Sequence, residues 1–92
     1  MFYLVTFDIS DNRHRYRAVK VLKGAGRRVQ KSVFECADLS EHGFLDIQAK
    51  LDKIIDHTTD TVRYYRICKG CLREIEWNGT GKAPDADTFK VY

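Results

Sequence analysis

Residues 2–26, "FYLVTFDISDNRHRYRAVKVLKGAG", decide the fold. Phe2, Tyr3, Leu4, Val5, Thr6, Phe7 and Ile9 make a nearly continuous run of apolar and β-forming side chains. Such a run suits a central strand covered on at least one face. Ser10, Asp11 and Asn12 are all residues that cap helix N-termini. A helix then runs to about Ala25. Val19, Leu22 and Ala25, with Tyr16 or Ala18 before them, recur at three- or four-residue spacing and form its buried stripe. Arg13, Arg17, Lys20 and Lys23 fall mostly off that stripe. Gly24 and Gly26 bracket its end.

Beyond this unit the pattern alternates again. "RRVQKSVFECADL" reads as two short strands, about 27–30 and 33–38, broken near Lys31 and Ser32. Ser40 caps a second helix with Phe44, Ile47, Leu51 and Ile54 on one face, widened by Leu45 and Ile55. "TTDTVRYYRIC" is a strand with Val62, Tyr64 and Arg66 on one side and Arg63, Tyr65 and Ile67 on the other. The order β-α-β-β-α-β predicts an α+β, ferredoxin-like domain over residues 1–77, an antiparallel sheet with both helices on one face. Residues 78–92 read as a linker, "NGTGKAPDAD", leading to "TFKVY". That last segment looks like a strand left over after a closed topology, so it is expected to pair with the sheet edge of a second copy.

Composition narrows the class. A chain of 92 residues with 43% hydrophobic and 12% aromatic content is one small folded domain, to which oligomerisation would add stability. No apolar stretch is long enough to cross a bilayer, and the N-terminus lacks the basic region of a signal peptide. A cytoplasmic protein with no membrane contact is therefore expected. The three cysteines, Cys36, Cys68 and Cys71, argue against a disulfide framework. The net charge is +3, but eight of the 16 Lys and Arg residues lie between Arg13 and Lys31 with no acidic residue among them. That concentration suits a polyanion such as RNA or DNA, the plainer reading being a solvated helix face. Arg is the better phosphate anchor because its planar fork matches phosphate oxygens.

Asp8 stands where the first strand gives way to a loop, and strand ends are where functional groups collect. It has two readings. It caps the helix or pairs with a nearby arginine, or it helps to hold Mg2+ or Mn2+, which keep several waters and lean on phosphate oxygens. Two such carboxylates facing each other across a dimer axis would make a reasonable site. "CKGC" at 68–71 fits half a zinc site or a redox pair, although His14, His42 and His57 supply no matching ligand pair. Incidental thiols are the simpler account. Trp77, Phe34 and Tyr64 are candidates for base stacking, with core or interface packing as the simpler alternative.

In the order they occur, "YLVTFDISDNR", "VLKGAGRRVQKSVFEC", the helix near 41–56 and "VRYYRIC" resemble the small CRISPR-associated endonuclease family, the Cas-two subunit of the spacer-acquisition complex. The similarity covers about residues 1–77. It implies a ferredoxin-like fold and a symmetric homodimer whose C-terminal strand adds to the partner's sheet. It also implies metal-dependent ribonuclease or deoxyribonuclease activity with Mg2+ or Mn2+, and a role as adaptor bridging dimers of the CRISPR integrase subunit. Carried over by position, the metal-binding and catalytic aspartate is Asp8. Phe7 replaces the usual tyrosine before it and lacks the hydroxyl. Arg15, Arg17 and Arg28 match the basic positions, and Ser32 and Phe34 belong to the matching "SVF". Without the resemblance, a ferredoxin-like RNA-binding module remains, with Tyr3, Phe7 and Tyr65 presented on the open sheet face.

Overall fold

The structure, a computed structural model, describes residues 1–81. Four strands, β1 (Phe2–Asp8), β2 (Arg27–Gln30), β3 (Val33–Cys36) and β4 (Thr61–Ile67), form an antiparallel sheet in the order β2-β3-β1-β4. Helices α1 (Asn12–Lys23) and α2 (Glu41–Ile54) follow β1 and β3, and a one-turn helix, α3 (Lys69–Arg73), follows β4. This is the expected ferredoxin-like arrangement. The "TFKVY" strand lies outside the described residues.

The pleat of β1 organises the interior. Its odd-numbered residues Tyr3, Val5 and Phe7, continued by Ile9, are buried with Phe34 and Cys36 of β3 against Ala18, Val19 and Leu22 of α1 and Ile47 and Leu51 of α2. Tyr3 stacks on Phe44 with ring centroids 4.4 Å apart, and Tyr64 meets Phe44 edge-on at 5.3 Å. The even-numbered side chains take the other face. There Leu72 of α3 covers Phe2, with Leu4, Ala37, Ile67 and Ile75 around it. Among the described residues no helix covers the rest of that face, which ends at the exposed Asp8.

One alternative in the helix stripes is resolved and one expectation needs correction. Ala18, not Tyr16, completes the buried stripe of α1; Tyr16 is 64% exposed and its ring lies 5.7 Å from the Lys20 ammonium. Leu45 does not widen the buried face of α2 and is 53% exposed. Among Ser10, Asp11 and Asn12, the cap is Asp11, whose carboxylate accepts the His14 backbone N–H at 2.9 Å. Ser40 caps α2 through the Gly43 N–H.

The two glycines after α1 do different work. Gly24 ends the helix in an ordinary right-handed conformation, and a Cβ there would meet only the Val21 carbonyl at 3.5 Å. At Gly26 a Cβ would lie 2.4 Å from the Glu35 carbonyl oxygen and 2.7 Å from Cys36 Sγ. Gly26 is thus the close approach that lets β2 leave α1 and lie on β3. Gly26→Ala is expected to destabilise the fold by roughly 1–3 kcal/mol through overpacking. Gly24→Ala is expected to be neutral or to stabilise by about 0.4–1 kcal/mol. Urea unfolding of the two variants measures both.

The loop after β1 is fixed by a residue fifty positions away. Asp60, 7% exposed, precedes β4 and accepts the Ser10 N–H at 3.2 Å, the Ser10 hydroxyl at 3.3 Å and the Asp56 N–H at 2.9 Å. The Thr59 hydroxyl adds a fourth donor at 3.0 Å. These donors, the Asp56 N–H foremost, hold the Asp60 carboxyl below its ordinary value of 3.8, against the opposing effect of burial. A carboxylate with a lowered folded value contributes stability that is fully present above the unfolded value and lost as pH falls through the folded one. Asp60→Asn is expected to lower the urea midpoint at pH 7. The gap to wild type is expected to narrow as pH drops below about 4; a gap independent of pH would contradict the assignment.

Candidate functional site

Asp8 closes β1. Its Cα partner is Thr61 of β4, and both residues are exposed. The pleat that buries Phe7 turns Asp8 to the helix-free face. Among the described residues nothing hydrogen-bonds to or ion-pairs with the Asp8 carboxylate. The helix cap is Asp11, and the nearby Arg15 is turned elsewhere, so both structural readings of Asp8 fall away. What remains is an unengaged carboxylate at the mouth of a strand, with the loop behind it held by Asp60.

Its surroundings on that face come from β4. Register places Arg63 opposite Thr6 and Tyr65 opposite Leu4, in the rows next to Asp8 and Thr61. The Arg63 guanidinium donates to the Tyr65 hydroxyl at 3.3 Å. The alternation in "TVRYYRI" put Arg63 and Tyr65 together; only the register shows that they neighbour Asp8. Asp60 was not singled out from the sequence, because a lone aspartate before a strand carries no signal of a partner at Ser10.

Phe7 does not flank Asp8. It is buried on the helix side and stacks on Phe34 at 6.4 Å. The missing hydroxyl at that position therefore falls in the core and takes nothing from the carboxylate. Ser32 acts through its backbone, its carbonyl accepting the Phe7 N–H at 3.1 Å, and Phe34 is fully buried. The set Tyr3, Phe7 and Tyr65, offered above as an open stacking surface, is corrected: Tyr3 and Phe7 face the helices and only Tyr65 faces outward. Of the other stacking candidates, Phe34 and Tyr64 belong to the core and Trp77 is 48% exposed.

The three arginines are not brought together. Arg15 Nη1 donates to the Ile9 carbonyl at 2.8 Å, and its Nη2 reaches the Asn12 side chain, so it clamps the β1–α1 loop. Arg28 donates through Nε and Nη2 to the Lys31 carbonyl at 3.0 and 2.6 Å and lies over the Phe34 ring, bracing the β2–β3 turn. Arg17 is exposed and makes no hydrogen bond or ion pair among the described residues. Residues spaced by four and then three share a helix face, so Arg13, Arg17 and Lys20 form an exposed basic stripe on α1. Of the three arginines, Arg17 belongs to this stripe, while Arg15 and Arg28 serve the two turns.

Among the described residues no three His, Cys, Asp or Glu side chains gather as a metal-ligand set. At the end of β1 the described residues thus offer one unengaged carboxylate, too few by itself for a metal-ligand set. No described helix is long and apolar enough to cross a membrane.

Comparison with known proteins places this chain in a family. The chain is 42% identical over 86 residues to a Chloroflexus aurantiacus protein named CRISPR-associated endoribonuclease Cas2 1, covering 92% of this chain and 91% of that one. The crystal structure of Streptococcus pyogenes Cas2 superposes with a TM-score of 0.77 at 36% identity, over 86% of this chain and all of that chain. A chain of a partial Cas6-RT-Cas1--Cas2 complex aligns with a TM-score of 0.70 at 25% identity, over 82% of this chain and 87% of that one. The family model described as CRISPR associated protein Cas2 matches residues 1–75, and the chain belongs to that family.

Proposed function

We propose that this protein is a nucleic-acid-binding Cas2 that acts in CRISPR spacer acquisition as a homodimer, with phosphodiester-cleaving activity centred on Asp8. The observation that carries the reading is the free, exposed Asp8 carboxylate on the helix-free face. Two copies packed through that face would bring two Asp8 residues towards a common axis. Together they would hold Mg2+ or Mn2+. When bound, such an ion supplies Lewis-acid polarisation of the scissile phosphate. The chain's own residues do the rest: Asp60 fixes the loop behind Asp8, Arg15 clamps it to α1, and Arg63 places a cation on the same face. The relatives named endoribonuclease or endonuclease support the activity.

Asp8→Asn keeps the shape and removes the charge. It is expected to reduce Mg2+-dependent cleavage of single-stranded RNA or duplex DNA by on the order of 100-fold. Equal rates in variant and wild type would assign the cleavage to something other than this site.

A second, compatible role is that of an adaptor between DNA and the CRISPR integrase subunit. It is favoured by the basic stripe of α1, which lies on the helix side of the sheet and away from Asp8, and by the likeness to a chain of a Cas1--Cas2 complex. Each phosphate contact on duplex DNA contributes about 0.9 to the slope of log affinity against log salt. Replacing Arg13, Arg17 and Lys20 by Ala is expected to flatten that slope by about 0.9 for each residue removed. Asp8→Asn is expected to leave the slope unchanged. A triple variant with the wild-type slope would move the DNA contact to another surface. The reading as a lone RNA-binding module loses its support, because Tyr3 and Phe7 are buried under the helices.

A further inference from the structure

The Cys68–Cys71 pair lies outside everything assigned so far. Cys68 is the N-cap of α3, and its Sγ accepts the Cys71 backbone N–H at 3.3 Å. Both cysteines are exposed, whereas Cys36 is buried in the core. Among the described residues no third His, Cys, Asp or Glu joins them as a metal-ligand set. The rest of α3 is anchored by Leu72, which is 5% exposed and packs on Phe2. The pair is therefore a reactive surface turn on a fixed base.

We propose that Cys68 and Cys71 form a redox-active dithiol whose substrate class is a low-molecular-weight disulfide such as glutathione disulfide. The Cys71 backbone N–H reaches Cys68 Sγ at 3.3 Å, so both side chains belong to one turn, and closing a disulfide needs their Cβ atoms roughly 3.8 Å apart. The roles differ. The Cys71 side chain and backbone donors stabilise a thiolate at Cys68 and hold its pKa below the ordinary thiol value. Cys71, donating to Cys68 and with Glu74 adding negative charge nearby, is held above it. Burial pushes Cys36 up to about 11, which leaves it unreactive.

In the first step the Cys68 thiolate attacks one sulfur of the substrate. A mixed disulfide forms and one substrate thiolate leaves. Cys71 then loses its proton and attacks the Cys68 sulfur, releasing the second substrate thiolate. The Cys71 proton and one from solvent, replacing that lost from Cys68, convert both leaving groups to thiols. Two protein thiols have been oxidised to one disulfide and one substrate disulfide reduced to two thiols, a balanced two-electron exchange.

The test treats the full chain with glutathione disulfide at pH 7, blocks free thiols with iodoacetamide, and reads intact and peptide masses. The expected product is a Cys68–Cys71 disulfide with Cys36 still a free thiol. Cys71→Ser is expected to stop at a single glutathionyl group on Cys68. Cys68→Ser is expected to react roughly tenfold more slowly, at Cys71. Both sites are exposed, and serine keeps the cap at position 68, so loss of the fold does not confuse the result. No reaction, glutathionyl groups retained on both cysteines, or a disulfide joining two chains would overturn the proposal. So would protection of both thiols by one zinc ion per two chains under reducing conditions. None of these outcomes bears on Asp8.

Discussion

Hydrogen bonding of β1 along both edges, to β3 and to β4, fixes every other feature of this molecule. With both neighbours in place the strand can neither rotate nor slip without breaking two ladders. A slip of one residue would expose Tyr3, Val5 and Phe7 and bury Asp8 without a partner, exchanging apolar burial for a desolvated charge. The position of the acid is therefore a consequence of core packing on the opposite face. Among the described residues no interaction made by the carboxylate itself holds it there.

The same reasoning explains which parts of the molecule were legible in its sequence. Strand and helix order follow from the two hydrophobic periods, and those are local. The faces of β1 are not: "FYLVTFD" is apolar at nearly every position, so its alternation is silent until the helices choose a side. Tyr3 and Phe7 could thus be assigned to an open surface that they do not occupy. Tyr16 and Ala18 compete for one stripe on α1, and Ala18 takes the buried position while Tyr16 stays exposed. Asp60 was invisible because its partner Ser10 is fifty residues away. The helix α3 is five residues long and contains a glycine, too short for a period to be seen.

The basic segment shows how composition and structure part company. Eight cations in nineteen residues read as one electrostatic surface. In the fold they divide by function. Arg15 and Arg28 satisfy backbone carbonyls at two turns, and Arg27 pairs with Glu35 at 2.9 Å. Arg13, Arg17 and Lys20 stay exposed on one side of α1. Guanidinium groups donate to turn carbonyls as well as to phosphate, so arginine content alone overstates the area available to a polyanion.

The division also separates two kinds of contact. Asp8 points to the helix-free face, while the α1 stripe belongs to the helix layer on the other side of the sheet. In the proposed homodimer the two helix-free faces meet, so the acids are central and the two stripes look outward. A nucleic acid held along a stripe is then held by charge, at a distance from the axis, whether or not the acids act on it. In that proposed arrangement the gripping surface and the acids would be free to change independently. It is the physical reason why an adaptor role and a nuclease role can coexist in one small fold.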